Sequence, residues 1–177
     1  NSPFILSDNI RTDIIEMYYG LRKRGVEIKL VIFGTGNVNP LQRAKLEKMM
    51  EELGLEKEII FAGRVSDEEL LRLYNTAELY IRPSWYEGFG LPPLEAMACG
   101  CPVIVSNVGA LPEVVGDAGI LANPHNINEW TDSMYAILTD ESLKEDMVSR
   151  GLERAKMFSW KKTAKETIAV YESVYNS

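Results

Sequence analysis

A parallel α/β sandwich of about six strands is the fold class this sequence predicts, and three observations carry it. Short apolar runs alternate with longer helical stretches along the chain, the form taken by a parallel sheet covered by helices on both faces. From about Ile127 onward the spacing of apolar residues is helical nearly throughout. The 177 residues, 46% of them hydrophobic, bury one good core, which predicts a single domain over residues 1–177 rather than a two-lobed enzyme.

The elements follow in order. Residues 4–6 form a first strand and residues 30–33 a stronger one, closed by the turn Gly34-Thr35-Gly36-Asn37. Pro40 opens a helix that runs to Leu53, with Leu41, Ala44, Leu46, Met49, Met50 and Leu53 as its apolar face and Gly54 as its stop. After a strand over residues 59–62, Ser66-Asp67-Glu68-Glu69 spells a capping box, and the helix it opens turns Leu70, Leu71, Leu73 and Tyr74 inward. Strands over 79–81, 102–105 and 119–121 complete the set. The helical remainder breaks near Asp140 and at Phe158-Ser159. There Ser159 caps a final helix over 159–177, with Trp160, Ile168, Tyr171, Val174 and Tyr175 available for burial. In such sheets ligands sit at the carboxyl ends of the strands, so chemistry is sought in the turns after Phe33, Ala62, Ile81 and Val105.

Charge and cysteine usage exclude several classes. The 26 acidic and 19 basic residues leave a formal charge of -7, which repels a nucleic-acid backbone. The one dense basic run, Arg22-Lys23-Arg24, reads as the solvated end of a helix. Cys99 and Cys101 are too close for an unstrained disulfide and have no partners at metal-site spacing, so two reduced thiols and no metal are expected. No apolar run is long enough to span a bilayer and no secretory leader pattern opens the chain, which gives a soluble, cytoplasmic expectation.

The turn after Ile81 carries the chemistry. It reads Arg82-Pro83-Ser84-Trp85-Tyr86-Glu87-Gly88-Phe89-Gly90-Leu91-Pro92-Pro93-Leu94-Glu95. Prolines suit the first turn of a helix and Gly100 its stop, so Gly88, Phe89 and Gly90 lie just before a helix N-terminus. Their backbone can approach a ligand closely and offers amides to a phosphate or a sugar oxygen. Glu87 then precedes the helix while Glu95 falls in its first turn. A diphosphate sugar needs both acids, one accepting hydrogen bonds from sugar hydroxyls and one holding a ribose diol. The plainer alternative makes Glu95 a complement to the helix dipole and Glu87 a loop acid.

With its continuation Ala96-Met97-Ala98-Cys99-Gly100-Cys101-Pro102-Val103-Ile104, and with Ser106, Gly109-Ala110-Leu111-Pro112-Glu113-Val114 and Gly116-Asp117-Ala118-Gly119, this run resembles the two-glutamate motif of retaining glycosyltransferases of group 1. The resemblance covers roughly residues 29–160. It implies a Rossmann-like three-layer sandwich, one lobe of the two-lobed GT-B architecture. It implies Glu87 as the catalytic-site acid beside the transferred sugar, Glu95 on the nucleotide ribose, and the backbone of Gly88, Phe89, Gly90 and Leu91 against sugar and phosphates. Gly34 and Gly36 then form a tight turn at the ligand edge, too incomplete for a dinucleotide fingerprint. The turn Gly63-Arg64-Val65-Ser66-Asp67 matches the family's base-binding edge, with Arg64 beside it, Val65 against the base and Asp67 as a guanine selector. The capping box accounts for Ser66 and Asp67 independently.

The resemblance further implies a nucleoside-diphosphate sugar as substrate, a UDP- or GDP-sugar, with no metal or other cofactor. It implies transfer of a hexosyl group with retention to a saccharide or a lipid-linked, membrane-associated acceptor, in cell-surface polysaccharide or glycolipid synthesis. The acceptor site belongs to an N-terminal lobe, expected to be absent here, which leaves this chain binding donor but transferring little. The full-length protein is expected in the cytoplasm, at the inner face of the membrane. One departure stands out. Family members carry a Gly-Arg pair and a later Lys after their first strand, whereas this chain has Ser7-Asp8-Asn9-Ile10-Arg11-Thr12-Asp13, with Arg11 the one cation for the diphosphate. That departure supports a rival reading as a non-catalytic nucleotide-sugar binding module. A sugar-nucleotide epimerase is a third reading, against which the two acids argue. His125 reads as a surface loop residue, and Trp85 and Tyr86 as sugar-pocket lining or strand-end packing.

Overall fold

The computed structural model describes residues 3–7, 12–34 and 40–175. Among the described residues, six strands alternate with helices and three helices close the chain: β1 (Phe4–Ser7), α1 (Thr12–Lys23), β2 (Leu30–Phe33), α2 (Pro40–Leu53), β3 (Ile59–Gly63), α3 (Asp67–Thr76), β4 (Leu79–Arg82), α4 (Leu91–Ala98), β5 (Val103–Ser106), α5 (Leu111–Val115), β6 (Ile120–Ala122), α6 (Ile127–Thr139), α7 (Glu141–Lys156) and α8 (Trp160–Tyr175). The strands form one sheet in the order β3-β2-β1-β4-β5-β6, with every pairing parallel.

The side chains explain why helices cover both faces of the sheet. Alternate residues of a strand face opposite sides, and here both sides are apolar. Leu30, Ile32, Leu79, Ile81 and Ile104 join one core cluster with Ile14 and Tyr18 of α1, Leu46 and Met50 of α2, and Trp130 and Met134 of α6. Val31, Phe33, Tyr80, Val103 and Val105 join the other, with Tyr74 of α3, Ala96 and Met97 of α4, and Leu111 and Val115 of α5. The chain builds outward from β1 to β3, then returns through α3 to lay β4 on the other side of β1. The sheet's switch point therefore lies between the ends of β1 and β4, where ligands settle in folds of this kind.

Several expectations are corrected. Leu41 is 83% exposed and Ala44 is exposed as well, because the first turns of α2 lie beyond the cluster that Leu46 and Met50 join. Leu71 is also exposed: Leu70, Leu73 and Tyr74 share one helical face, and Leu71 sits a third of a turn away from it. The arginines of the basic run are not simply solvated, since Arg22 pairs with Glu58 and Arg24 with Asp132. The final helix departs most. Ser159 accepts a hydrogen bond from the Lys162 amide as foreseen, but no residue of α8 is buried, and Trp160, Tyr171 and Val174 are each at least 70% exposed. Among the described residues, no helix is long and apolar enough to cross a membrane.

Candidate functional site

The segment between β4 and α4 leaves the sheet at the switch point. Gly90 is the N-cap of α4 and sits in the left-handed region at φ 102°. A Cβ there would come within 2.7 Å of Leu111 Cδ2, so glycine is required both by conformation and by space. No side chain caps the helix, and Pro92 and Pro93 in its first turn carry no N–H. The backbone donors left at this entrance are those of Gly88, Phe89, Gly90 and Leu91.

Glu87 is held from two sides. Its carboxylate oxygen Oε2 lies 3.0 Å from Arg82 Nε and 2.9 Å from one of the terminal guanidinium nitrogens, with side chains only 18% and 12% exposed. Its carbonyl accepts the Ala110 amide at 3.2 Å. Gly109, at φ 56°, packs so closely beneath it that a Cβ would stand 2.4 Å from that carbonyl oxygen. The loop after β5 is thus a floor for the loop after β4. Phe89 is partly exposed and meets Phe158 edge-on at 6.1 Å, while the Arg154 guanidinium lies over the Phe158 ring and donates from Nε to the Val114 carbonyl.

Glu95 is placed differently from the sequence expectation. Because α4 begins at Leu91, Glu95 is the fifth helical residue and falls past the first turn, where the helix dipole acts most. Its side chain is exposed and receives a hydrogen bond from the Tyr74 hydroxyl to Oε2 at 3.2 Å. Tyr74 itself is buried, edge-on to Phe33 and Tyr80. Burial, then the neighbouring Tyr80 and Glu95, push its phenol well above the usual tyrosine range, so it remains a donor.

The loop after β3 stands at the same end of the sheet. The Gly34 amide donates to the Gly63 carbonyl at 2.9 Å and so joins the turns after β2 and β3. Arg64 and Asp67 are exposed, whereas Val65 is half-buried against the second core cluster. Ser66 and Glu69 form the expected reciprocal capping box. Gly36 and Arg11 lie outside the described residues. Trp85 and Tyr86 are 63% and 80% exposed, and Trp85 faces the exposed His125 ring, in the loop after β6, at 5.8 Å. Among the described residues, no group of three or more His, Cys, Asp or Glu is arranged to hold a metal.

Sequence reasoning missed three contributors: Arg82, Tyr74 as a partner of Glu95, and Gly109. Arg82 had a visible signal, a charge ending an otherwise apolar strand five residues before an acid. The other two depend on which loops and helices meet.

An open, doubly wound α/β sheet whose switch-point loop presents glycine backbone between two carboxylates defines a ligand-binding domain of the Rossmann-like class. The chain belongs to the glycosyl transferases group 1 family, whose model matches residues 12–154. O-antigen chain mannosyltransferase B of Escherichia coli is 48% identical over 114 residues, 64% of this chain and 30% of that protein. The MMP alpha-(1->4)-mannosyltransferase of Mycolicibacterium hassiacum is 39% identical over 154 residues, 85% of this chain and 36% of that one. The solved C-terminal domain of a glycosyl transferase group 1 family protein (LpcC) from Francisella tularensis matches with a TM-score of 0.76 at 28% identity, over 88% of this chain and 85% of that domain. The chain thus spans about a third of the length of these two mannosyltransferases.

Proposed function

We propose that this chain is the donor-binding part of a retaining hexosyltransferase that uses a UDP- or GDP-sugar and delivers the sugar to a saccharide or lipid-linked acceptor, in cell-surface polysaccharide or glycolipid synthesis. One observation carries the reading: a glycine backbone turn at the sheet's switch point, flanked by Glu87 and Glu95, each with a partner that fixes it. The mannosyltransferase relatives support a hexosyl group.

In this scheme the amides of Gly88, Phe89, Gly90 and Leu91 receive the diphosphate and stabilise the charge that grows on it as the sugar departs. Glu87 accepts hydrogen bonds from the transferred sugar. Glu95 accepts those of the ribose diol, in two acceptor positions that suit paired hydroxyls. Val65, Arg64 and Asp67 border the base. The end of β3 is three strands from that of β4, about 14 Å at the usual spacing, so an elongated ligand is needed to reach both. Arg11, Gly34 and Gly36 complete the set of donor-binding residues. No metal or other cofactor takes part. The acceptor and the groups that activate it come from an N-terminal lobe, in a protein that works in the cytoplasm beside the inner membrane face.

Calorimetric titration with UDP, GDP and ADP, and then with UDP-glucose and GDP-mannose, tests the assignment. Glu95→Ala weakens nucleotide binding by about 1–3 kcal/mol through lost charged hydrogen bonds. Glu87→Ala weakens the sugar nucleotide more than the free nucleotide. If both variants bind every ligand as the parent does, the site lies elsewhere. The Ser7-to-Asp13 segment, which lacks the family's Gly-Arg and Lys, favours a second reading as a binding module without turnover. Donor binding with no sugar transfer by the full-length protein would establish that reading instead.

A further inference from the structure

A carboxylate on a loop contributes most to recognition when the loop does not have to be ordered anew each time a ligand arrives. Glu87 leaves the sheet on such a loop, yet it folds back over the strand that launched it. Its partner is the last residue of β4. Arg82 is fixed there by its register with Val105, and its carbonyl receives the Ser106 hydroxyl at 3.4 Å. The two side chains are largely withdrawn from water, so their attraction is far less screened than that of a surface pair. In such a place, loss of one partner leaves the other charge uncompensated.

Arg82 also bears on a conflict within the site. A carboxylate set beside a diphosphate repels it, and this one would weaken the ligand it is meant to help hold. The guanidinium offsets that charge where it stands. It engages Oε2 through two nitrogens, and a carboxylate with about four acceptor positions keeps room for sugar hydroxyls. We propose that Arg82 is the positioning residue of the donor site: it orients Glu87 and cancels its charge, so that Glu87 can take the transferred sugar beside an anionic diphosphate. This rests on the assignment of Glu87 to the sugar.

The test is the ratio of dissociation constants, sugar nucleotide over free nucleotide, for whichever of GDP-mannose with GDP or UDP-glucose with UDP the chain binds. The variants are E87Q, R82M, R82K and the pair R82M/E87Q, each checked for its fold by circular dichroism. We expect E87Q to raise the ratio by about three- to tenfold, the value of roughly one hydrogen bond. R82M raises it as far, the double variant raises it no further, and R82K lies between R82M and the parent. Free nucleotide affinity stays within about threefold of the parent in the double variant, which is neutral overall as the parent pair is, and falls in R82M, where the Glu87 charge stands uncompensated beside the diphosphate. An R82M that keeps the parent ratio while E87Q loses it overturns the role of Arg82 and spares Glu87. An E87Q with the parent ratio overturns the Glu87 assignment itself. Where R82M is too unstable to titrate, R82K decides, because it keeps the charge and loses the two-nitrogen contact: the parent ratio in R82K overturns the positioning role. If the double variant loses more than about threefold in free-nucleotide affinity against the parent, Arg82 touches the donor directly and the positioning role is wrong.

Discussion

Glu87 and Glu95 belong to one short segment and are the same residue type, yet the fold places them by opposite means. Glu95 stands on a regular helix, and one phenol steadies it from the neighbouring helix. Glu87 stands on irregular backbone, and its position is assembled from Arg82 on β4, the Ala110 amide and the close approach of Gly109. A residue on a helix inherits its direction from repeating geometry, whereas one on a loop must be built into place by its neighbours. Damage to those neighbours should therefore be felt at Glu87 and hardly at Glu95.

The strongest test of that difference is Gly109→Ala. Left-handed strain plus displacement of the Glu87 carbonyl lowers stability by about 2–4 kcal/mol, read from urea unfolding. In the folded fraction, discrimination between sugar nucleotide and nucleotide falls while free-nucleotide affinity holds. Equal loss of both would erase the distinction between the two acids. Tyr74→Phe is milder, because it removes one hydrogen bond to an exposed carboxylate. It costs about 0.5–1.5 kcal/mol of nucleotide affinity and leaves the sugar preference alone. An effect on the sugar would show that Tyr74 serves both ends of the site.

The smallest effect is electrostatic. Cys99 ends α4, and its thiol is raised first by burial and then by the charge of Glu95. Glu95→Gln removes the second contribution, so alkylation of Cys99 by iodoacetamide begins at lower pH, whereas Glu87→Gln leaves the profile unmoved. Cys101 does not interfere, being 2% exposed and pushed up to about 12 by burial. A profile that ignored Glu95 would mean its carboxylate points away from the end of α4.

Much of this was legible in the sequence because it is local. Strand bounds came within a residue or so of the observed ones, the capping box at Ser66 formed as spelled, and Gly90 before two prolines opened α4. What misled was also local. The apolar stripe of α2 was drawn through Leu41, but burial there is decided by how far the sheet beneath extends. The prolines suggest a start for α4 one residue late, which puts Glu95 in the first turn, but they occupy the second and third positions and Glu95 falls just past that turn. The Arg82–Glu87 pair escaped because it depends on a reversal of the loop, and the floor at Gly109 because it requires two loops that are distant in sequence to meet.

The contact of Phe89 with Phe158 has a mechanical consequence. Phe158 occupies the elbow between α7 and α8, and α8 leaves that elbow as a rod of 16 residues, about 24 Å long. A tilt of about 10° at the elbow carries the rod's tip through about 4 Å, by the length of such a helix, while the ring at the pivot scarcely moves. The contact with Phe89 therefore sits where a tilt of α8 displaces it least, and the far tip of the helix can swing without dragging the glycine turn along.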